Sequence, residues 1–319
     1  MTLFISLLLF VLGLAFIIKG SDWFVDSTIW IARVLNIPEF IIGATLVSIC
    51  TTLPELLVST GAAVNGDTSM ALGNAVGSVA CNTGLILGTV IVFSMPKMHH
   101  RNAIRLKSSF ISASLAAYII IGLIFNEFNY VTGIIFLLMS GLFVYYNYYE
   151  ARKYRENQEQ MPETDKSKKT VVRNLLLFIV GLALTIAGAQ LMVIHGEKIA
   201  IALKVPSIVI GVTMTALGTS LPELVTAITA LRKNASALSV GNIFGANILN
   251  LTLVLGGTAL IKPISTTDNA LSFHLPVILG ITLIAAVSTL ILKKKYPRFI
   301  GILLLASYFI YITLTAVLA

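Results

Sequence analysis

Two glutamates, Glu55 and Glu223, interrupt stretches of sequence that are otherwise apolar, and each ends the same short motif. The first reads Thr51-Thr52-Leu53-Pro54-Glu55-Leu56 and the second Thr219-Ser220-Leu221-Pro222-Glu223-Leu224. A carboxylate at mid-bilayer costs on the order of 3 kcal/mol or more. No Lys or Arg lies in these stretches to neutralise either one. Each glutamate must therefore be protonated or hold a cation. Pro54 and Pro222 have no N–H and crowd the preceding turn, so the carbonyls of Cys50 and Thr51, and of Gly218 and Thr219, are expected to lose helical partners. With the hydroxyls of Thr51, Thr52, Thr219 and Ser220 they make an oxygen-rich setting, and broken backbone at that depth is tolerated only where it lines an enclosed cavity.

A second pair of segments supplies further oxygens. Asn74, Ser78 and Asn82 recur every four residues, so they share one helical face, as do Asn242, Ala246 and Asn250, with Asn247 beside them. Gly73, Gly77, Gly241 and Gly245 permit close helix approach, which would carry those faces toward the glutamates. Carboxylate, carbonyl, hydroxyl and amide donors favour hard cations such as Na⁺ and Ca²⁺ over zinc or copper. Two carboxylates balance one divalent ion, two monovalent ions or protons, and a site shared by such ions holds them one set at a time. That exclusivity is how an exchanger couples two fluxes.

The two motifs are copies. An offset of 168 residues aligns Gly43–Leu56 with Gly211–Leu224 at seven of fourteen positions, and Gly73–Gly88 with Gly241–Gly256 at seven of sixteen, without a gap. The matches are mainly Gly, Thr, Pro, Glu and Asn, which apolar composition alone does not produce.

The elements that must position these residues are membrane helices. Of the 319 residues 57% are apolar and 11% charged, with a mean hydropathy of +0.92, whereas a soluble domain carries about 25% charge. Apolar runs give ten spans at about 2–19, 39–64, 69–94, 107–126, 129–149, 171–193, 206–231, 235–261, 271–292 and 299–318. Of the 22 Lys and Arg residues, 19 fall in alternate breaks and only Lys198, Lys204 and Lys262 in the others. The positive-inside rule then places both termini outside, so the net charge of +8 is topological and no nucleic-acid partner is expected. The mixed-charge stretch Glu150–Lys169 reads as a cytoplasmic linker. The chain thus divides into a first five-helix half (1–149), a linker (150–170) and a second half (171–319). Five spans separate equivalent helices, an odd number, so the halves cross the membrane in opposite directions. The expected fold is all-α and integral to the membrane, an inverted repeat of the kind that supports alternating access.

Other chemistries fit poorly. An intramembrane hydrolase needs a Ser/His pair or paired aspartates in the membrane, but His99, His100 and His195 fall in breaks, His274 lies near a span start and no Asp lies deep. No Walker-type phosphate loop occurs, and Cys50 and Cys81 sit in apolar runs. No enzymatic role or cofactor is expected. A cation channel is the non-exchanger alternative, since the same oxygens could line a pore.

The paired Gly-x-Thr…Thr-Thr/Ser-Leu-Pro-Glu and Gly-Asn-x-x-Gly-Ser/Ala-x-x-x-Asn blocks resemble the two alpha repeats of the calcium/cation antiporter superfamily, in particular its prokaryotic sodium/calcium exchanger branch. The resemblance is close over about 43–88 and 211–256. It implies a monomer in a prokaryotic plasma membrane in which Na⁺ entry drives Ca²⁺ extrusion. It makes Glu55 and Glu223 the shared ligands, with backbone oxygens of Thr51 and Thr219 completing the Ca²⁺ site. Flanking Na⁺ sites would use the carbonyls of Ser48 and Ala216 and the hydroxyls of Thr52, Ser220 and Ser78, with Asn82 at the centre. The first span of each half would slide past the core. Two positions depart from the pattern: sodium/calcium members often carry Asp where this chain has Asn250, and a hydroxyl residue in place of Ala246. H⁺/Ca²⁺ relatives share the paired glutamates, which makes H⁺ the rival coupling ion.

Overall fold

The computed structural model describes residues 3–96, 101–157, 164–204, 218–266, 270–292 and 295–318. They form α1 (Leu3–Leu35), α2 (Glu39–Val64), α3 (Thr68–Ser94), α4 (Arg101–Phe125), α5 (Tyr130–Asn157), α6 (Lys168–Ala202), α7 (Leu221–Arg232), α8 (Ser236–Ile261), α9 (Leu271–Ile291) and α10 (Arg298–Leu318). Nine of these are long and apolar enough to cross a membrane. The exception is α7, because all of 206–217 lies outside the described residues. Helix ends follow local chemistry. Asn36, after α1, adopts a left-handed φ of 52° ahead of Pro38. Asp67 caps α3 by accepting the Met70 N–H at 2.8 Å, and both are standard helix-terminating devices.

Two spans are longer than expected. The first was expected to end near residue 19 and the sixth to cover 171–193, but α1 runs to Leu35 and α6 from Lys168 to Ala202. Charges in α1 do not break the helix because they find partners across it. Asp22 and Asp26, one turn apart, both reach Lys233 at 3.5 and 2.8 Å, and Lys19 lies over the Trp23 ring. At 1.5 Å per residue α1 is about 50 Å long, more than the hydrocarbon core of about 30 Å, so it tilts or projects beyond it. Lys107, expected in a break, is instead buried within α4, 3.3 Å from Glu150 and packed over Phe40 and Tyr146. The stretch beginning at Glu150 is helical to Asn157.

The two-fold relation between halves extends well beyond the sequence blocks. Gly13 packs on Gly188 and Gly20 on Gly181, and the 168-residue offset exchanges the two pairs. It likewise exchanges the Gly88–Gly301 contact of α3 and α10 with the Gly256–Gly133 contact of α8 and α5. A short antiparallel pairing of Phe128 with Ile264 has its counterpart in the Tyr296 N–H donating to the Pro96 carbonyl. The halves therefore interlock, the third helix of each resting on the fifth of the other.

Burial separates centre from periphery. In their apolar stretches 78% of α3 and 83% of α8 residues are buried, against 22% in α1 and α6. The glycines let α1 and α6 lie backbone to backbone, since a methyl group at Gly20 would sit 2.7 Å from the Gly181 carbonyl oxygen. Gly20→Ala should therefore overpack the pair at a cost of about 1–3 kcal/mol, seen as a lower melting temperature of the purified protein. An unchanged value would show that the two helices part without resistance.

Candidate functional site

Glu55 and Glu223 each occupy the third position of a helix that begins at a break. In α2 the helix stops at Thr51, Thr52 takes φ −81° and ψ −6°, and a new helix starts at Leu53. In the second copy Ser220 takes φ −88° and ψ 4° before α7 begins at Leu221. Each proline stands at the start of the new helix, so the carbonyls of Cys50 and Gly218, four residues earlier, have no N–H to accept there. The expected paired breaks are present.

The motifs meet across the pseudo-two-fold. Thr219 Oγ1 donates to Asn74 Oδ1 at 3.0 Å, and Thr51 Oγ1 donates to Asn242 Oδ1 at 3.2 Å, so each threonine is held by the other half. Ser78 Oγ lies 3.4 Å from Thr219 Oγ1. The Ser78 and Thr219 hydroxyls flank the Glu55 carboxyl and the Thr51 hydroxyl flanks Glu223, without closing a hydrogen bond of good geometry to any carboxyl oxygen. The two carboxyls are close enough to interact electrostatically.

Glu55, Glu223, Ser48, Thr51, Thr52, Ser78, Asn82, Ser220 and Asn250 are all buried to within 1% of full enclosure, and Thr219 is half-buried. Several of these residues carry polar atoms without partners. Both carboxyl oxygens of each glutamate, both amide atoms of Asn82 and of Asn250, and the hydroxyls of Thr52 and Ser220 have no hydrogen bond in the structure. Leaving such groups dry and unpaired is expensive, and a hard cation or water would satisfy them together. Among the described residues no three His, Cys, Asp or Glu side chains converge, so an ion here would lean on neutral oxygens as well as the carboxylates.

Of the remaining expected ligands, the Ser48 carbonyl accepts the Thr52 N–H at 3.0 Å and keeps one lone pair for an ion. Ala216 lies outside the described residues. The glycine expectation holds for the second copy, where methyl groups at Gly241 and Gly245 would fall 2.1 Å from the Phe40 carbonyl and 2.5 Å from Ser48 Oγ. At Gly73 and Gly77 no described atom lies within 4 Å of such a group.

Sequence reasoning missed the π-turns. α2 carries one at Gly43–Val47, α3 at Cys81–Leu87 and α8 at Asn250–Val254. Asn82 and Asn250 sit at the starts of equivalent turns, where the wider helix frees backbone groups, a feature common at functional sites. The sequence also carried an unused asymmetry: Asn247, which donates to Thr83 Oγ1 at 2.8 Å, aligns with Val79.

Comparison with known proteins agrees with this geometry. The family model described as sodium/calcium exchanger protein matches residues 5–149 and again 173–317, the same 168-residue offset. An uncharacterized membrane protein of Methanocaldococcus jannaschii is 35% identical over 309 residues, covering 94% of this chain and 95% of its own. The sodium/calcium exchanger MaX1 of Methanosarcina acetivorans is 29% identical, with 88% and 90% covered. A solved structure of the sodium-calcium exchanger NCX_Mj, soaked with Na⁺ and Sr²⁺, superposes with a TM-score of 0.84 at 31% identity over 98% of this chain and 99% of that one.

Proposed function

The chain belongs to the sodium/calcium exchanger protein family, and on that footing we propose that Glu55 and Glu223 are the charged ligands of one site that Na⁺ and Ca²⁺ occupy in turn. The protein is an integral membrane antiporter exchanging Na⁺ for Ca²⁺, and these ions are its substrates. One observation carries the site assignment: the polar side-chain atoms of both glutamates, Asn82, Asn250, Thr52 and Ser220 are all fully enclosed and unpartnered, on two repeats that the Thr51–Asn242 and Thr219–Asn74 bonds tie to each other. Ca²⁺ would draw on both carboxylates with backbone oxygens of Thr51 and Thr219. Na⁺ would draw on the same carboxylates with Ser78, Thr52, Ser220 and the Ser48 and Ala216 carbonyls. Because two negative charges compensate one divalent ion, loading one ion set disfavours the other. That mutual exclusion ties the fluxes together.

The inverted repeat supplies the rest of the mechanism. α1 and α6 are peripheral, packed on each other through glycines, and are suited to slide as a pair over the rigid crossing of α2, α3, α7 and α8. We place both termini outside, from the 19 cations in alternate breaks. A cysteine added after Ala319 should then react with an impermeant maleimide in intact cells; labelling only after lysis would invert the topology. We also take one chain as the working unit, because both carboxylates come from it.

The decisive measurement is Ca²⁺ uptake by reconstituted protein with an outward Na⁺ gradient, an outward H⁺ gradient, or neither. Uptake is expected with the Na⁺ gradient alone. Uptake driven only by H⁺ would overturn the coupling ion, and uptake with neither gradient would mean a channel.

A further inference from the structure

The site is nearly symmetric in sequence, yet its hydrogen bonding is not, and the difference falls on two asparagines outside the ligand set. Asn74, buried on α3, uses both ends of its amide. Its Oδ1 accepts from Thr219 Oγ1 of the opposite repeat at 3.0 Å. Its Nδ2 donates to Ser59 Oγ at 2.9 Å and to the Glu55 backbone carbonyl at 3.3 Å. Ser59 in turn donates to the Ala71 carbonyl at 3.3 Å. One side chain thus fixes the turn that carries Glu55 and, through Thr219, the break that leads to Glu223.

Asn242, at the equivalent place on α8, does only the first of these things. Its Oδ1 accepts from Thr51 Oγ1 at 3.2 Å, but its buried Nδ2 has no partner. The cause is a displaced hydroxyl. Ala227 stands where the first half has Ser59, and Ser239 where it has Ala71. Ser239 Oγ donates back to the Ala227 carbonyl at 3.0 Å. The α7–α8 tie survives, running the opposite way, while the asparagine amide loses its acceptor.

We propose that Asn74 is a positioning residue for ion binding, that Asn242 is its weaker counterpart, and that the Glu55 half of the site is preformed while the Glu223 half is ordered by the ion. Ligands held in place before the ion arrives lose less freedom on binding it. A site stapled on one side keeps high affinity there and leaves the other side free to rearrange as ions exchange. The inference rests on the two glutamates forming the ion site.

The experiment pairs equilibrium Ca²⁺ binding to purified protein with the Ca²⁺ dependence of exchange in liposomes. Asn74→Ala is expected to raise the half-saturating Ca²⁺ concentration about tenfold, the scale of one or two buried hydrogen bonds, with the maximal rate within about twofold of wild type. Asn242→Ala should raise it less. Asn74→Ala combined with Thr219→Val should lose less than the sum of the two single losses, because both cut one shared link. Ala227→Ser, which offers Asn242 the missing acceptor, should lower the half-saturating concentration. Ser59→Ala should raise it, and these two variants carry the test if Asn74→Ala does not fold. Equal losses at Asn74 and Asn242, additive losses at Asn74 and Thr219, or no response to Ser59→Ala and Ala227→Ser would overturn the proposal. Glu55→Gln serves as the separate control. Normal Ca²⁺ binding by that variant would remove the site itself, whereas lost binding there with normal binding by Asn74→Ala would remove only the positioning role.

Discussion

Glu55→Gln and Glu223→Gln are each expected to abolish Na⁺-driven Ca²⁺ uptake, to below about 1% of the wild-type rate. Glutamine keeps the size of the side chain and removes its charge. Between a carboxylate and a divalent ion a few ångströms apart, the Coulomb attraction is several kcal/mol even at an effective dielectric constant of about 20. Each 1.4 kcal/mol is a factor of about ten, so a single loss weakens binding by at least about 10²-fold. In the proposed site Na⁺ depends on the same carboxylates, so neither ion would be loaded and no half-reaction would survive. Stability should move the other way. Both carboxyls are fully buried without a hydrogen bond, and replacing a buried ionisable group by a neutral isostere removes its desolvation cost. The variants should therefore fold and melt no lower than wild type in the absence of ions. They should also lose the rise in melting temperature that Ca²⁺ gives a protein binding it only when folded. Near-normal exchange by both variants would refute the site.

The contrast between what the sequence disclosed and what it concealed has physical causes. Glu is rare within bilayer spans and costs energy there, so Glu55 and Glu223 stood out from the apolar background, and the duplication of each with its Pro and preceding hydroxyls pointed to a shared crossing. Helix length was harder to read. A hydropathy reading stops at Lys19, yet Asp22 and Asp26 continue the helix because their partner, Lys233, comes from residues 207 or more positions away. Lys107 eluded the same reading since its counter-charge, Glu150, belongs to another helix. The π-turns at Cys81 and Asn250 have no compositional signature, because one extra residue in a turn depends on packing. The Asn74 network was hidden differently. The asparagine was visible on the right face, but the asymmetry with Asn242 depends on a serine, Ser59, that in one dimension looks like many others.

Asn250→Asp is the second substitution with a large expected effect. Asn250 is fully enclosed at the start of its π-turn, with both amide atoms unpartnered, and its equivalent is Asn82. In the proposed wild-type site two carboxylates match the charge of one Ca²⁺ and leave none to spare for a further monovalent ion. A third carboxylate changes that arithmetic. A unit charge about 5 Å from a bound cation is worth roughly 3 kcal/mol at an effective dielectric constant of about 20, and competition from protons and lost solvation reduce what is realised. The Na⁺ concentration that half-inhibits Ca²⁺ uptake should fall about tenfold or more, as an added Na⁺ neutralises the new charge. Uptake should also acquire a pH dependence, because the added carboxyl must release a proton before it can hold an ion. Measuring Na⁺ inhibition at two pH values separates the effects. A curve that stays on the wild type at both values would place the Asn250 side chain outside the ion path, and the charge of the site would then rest on Glu55 and Glu223 alone.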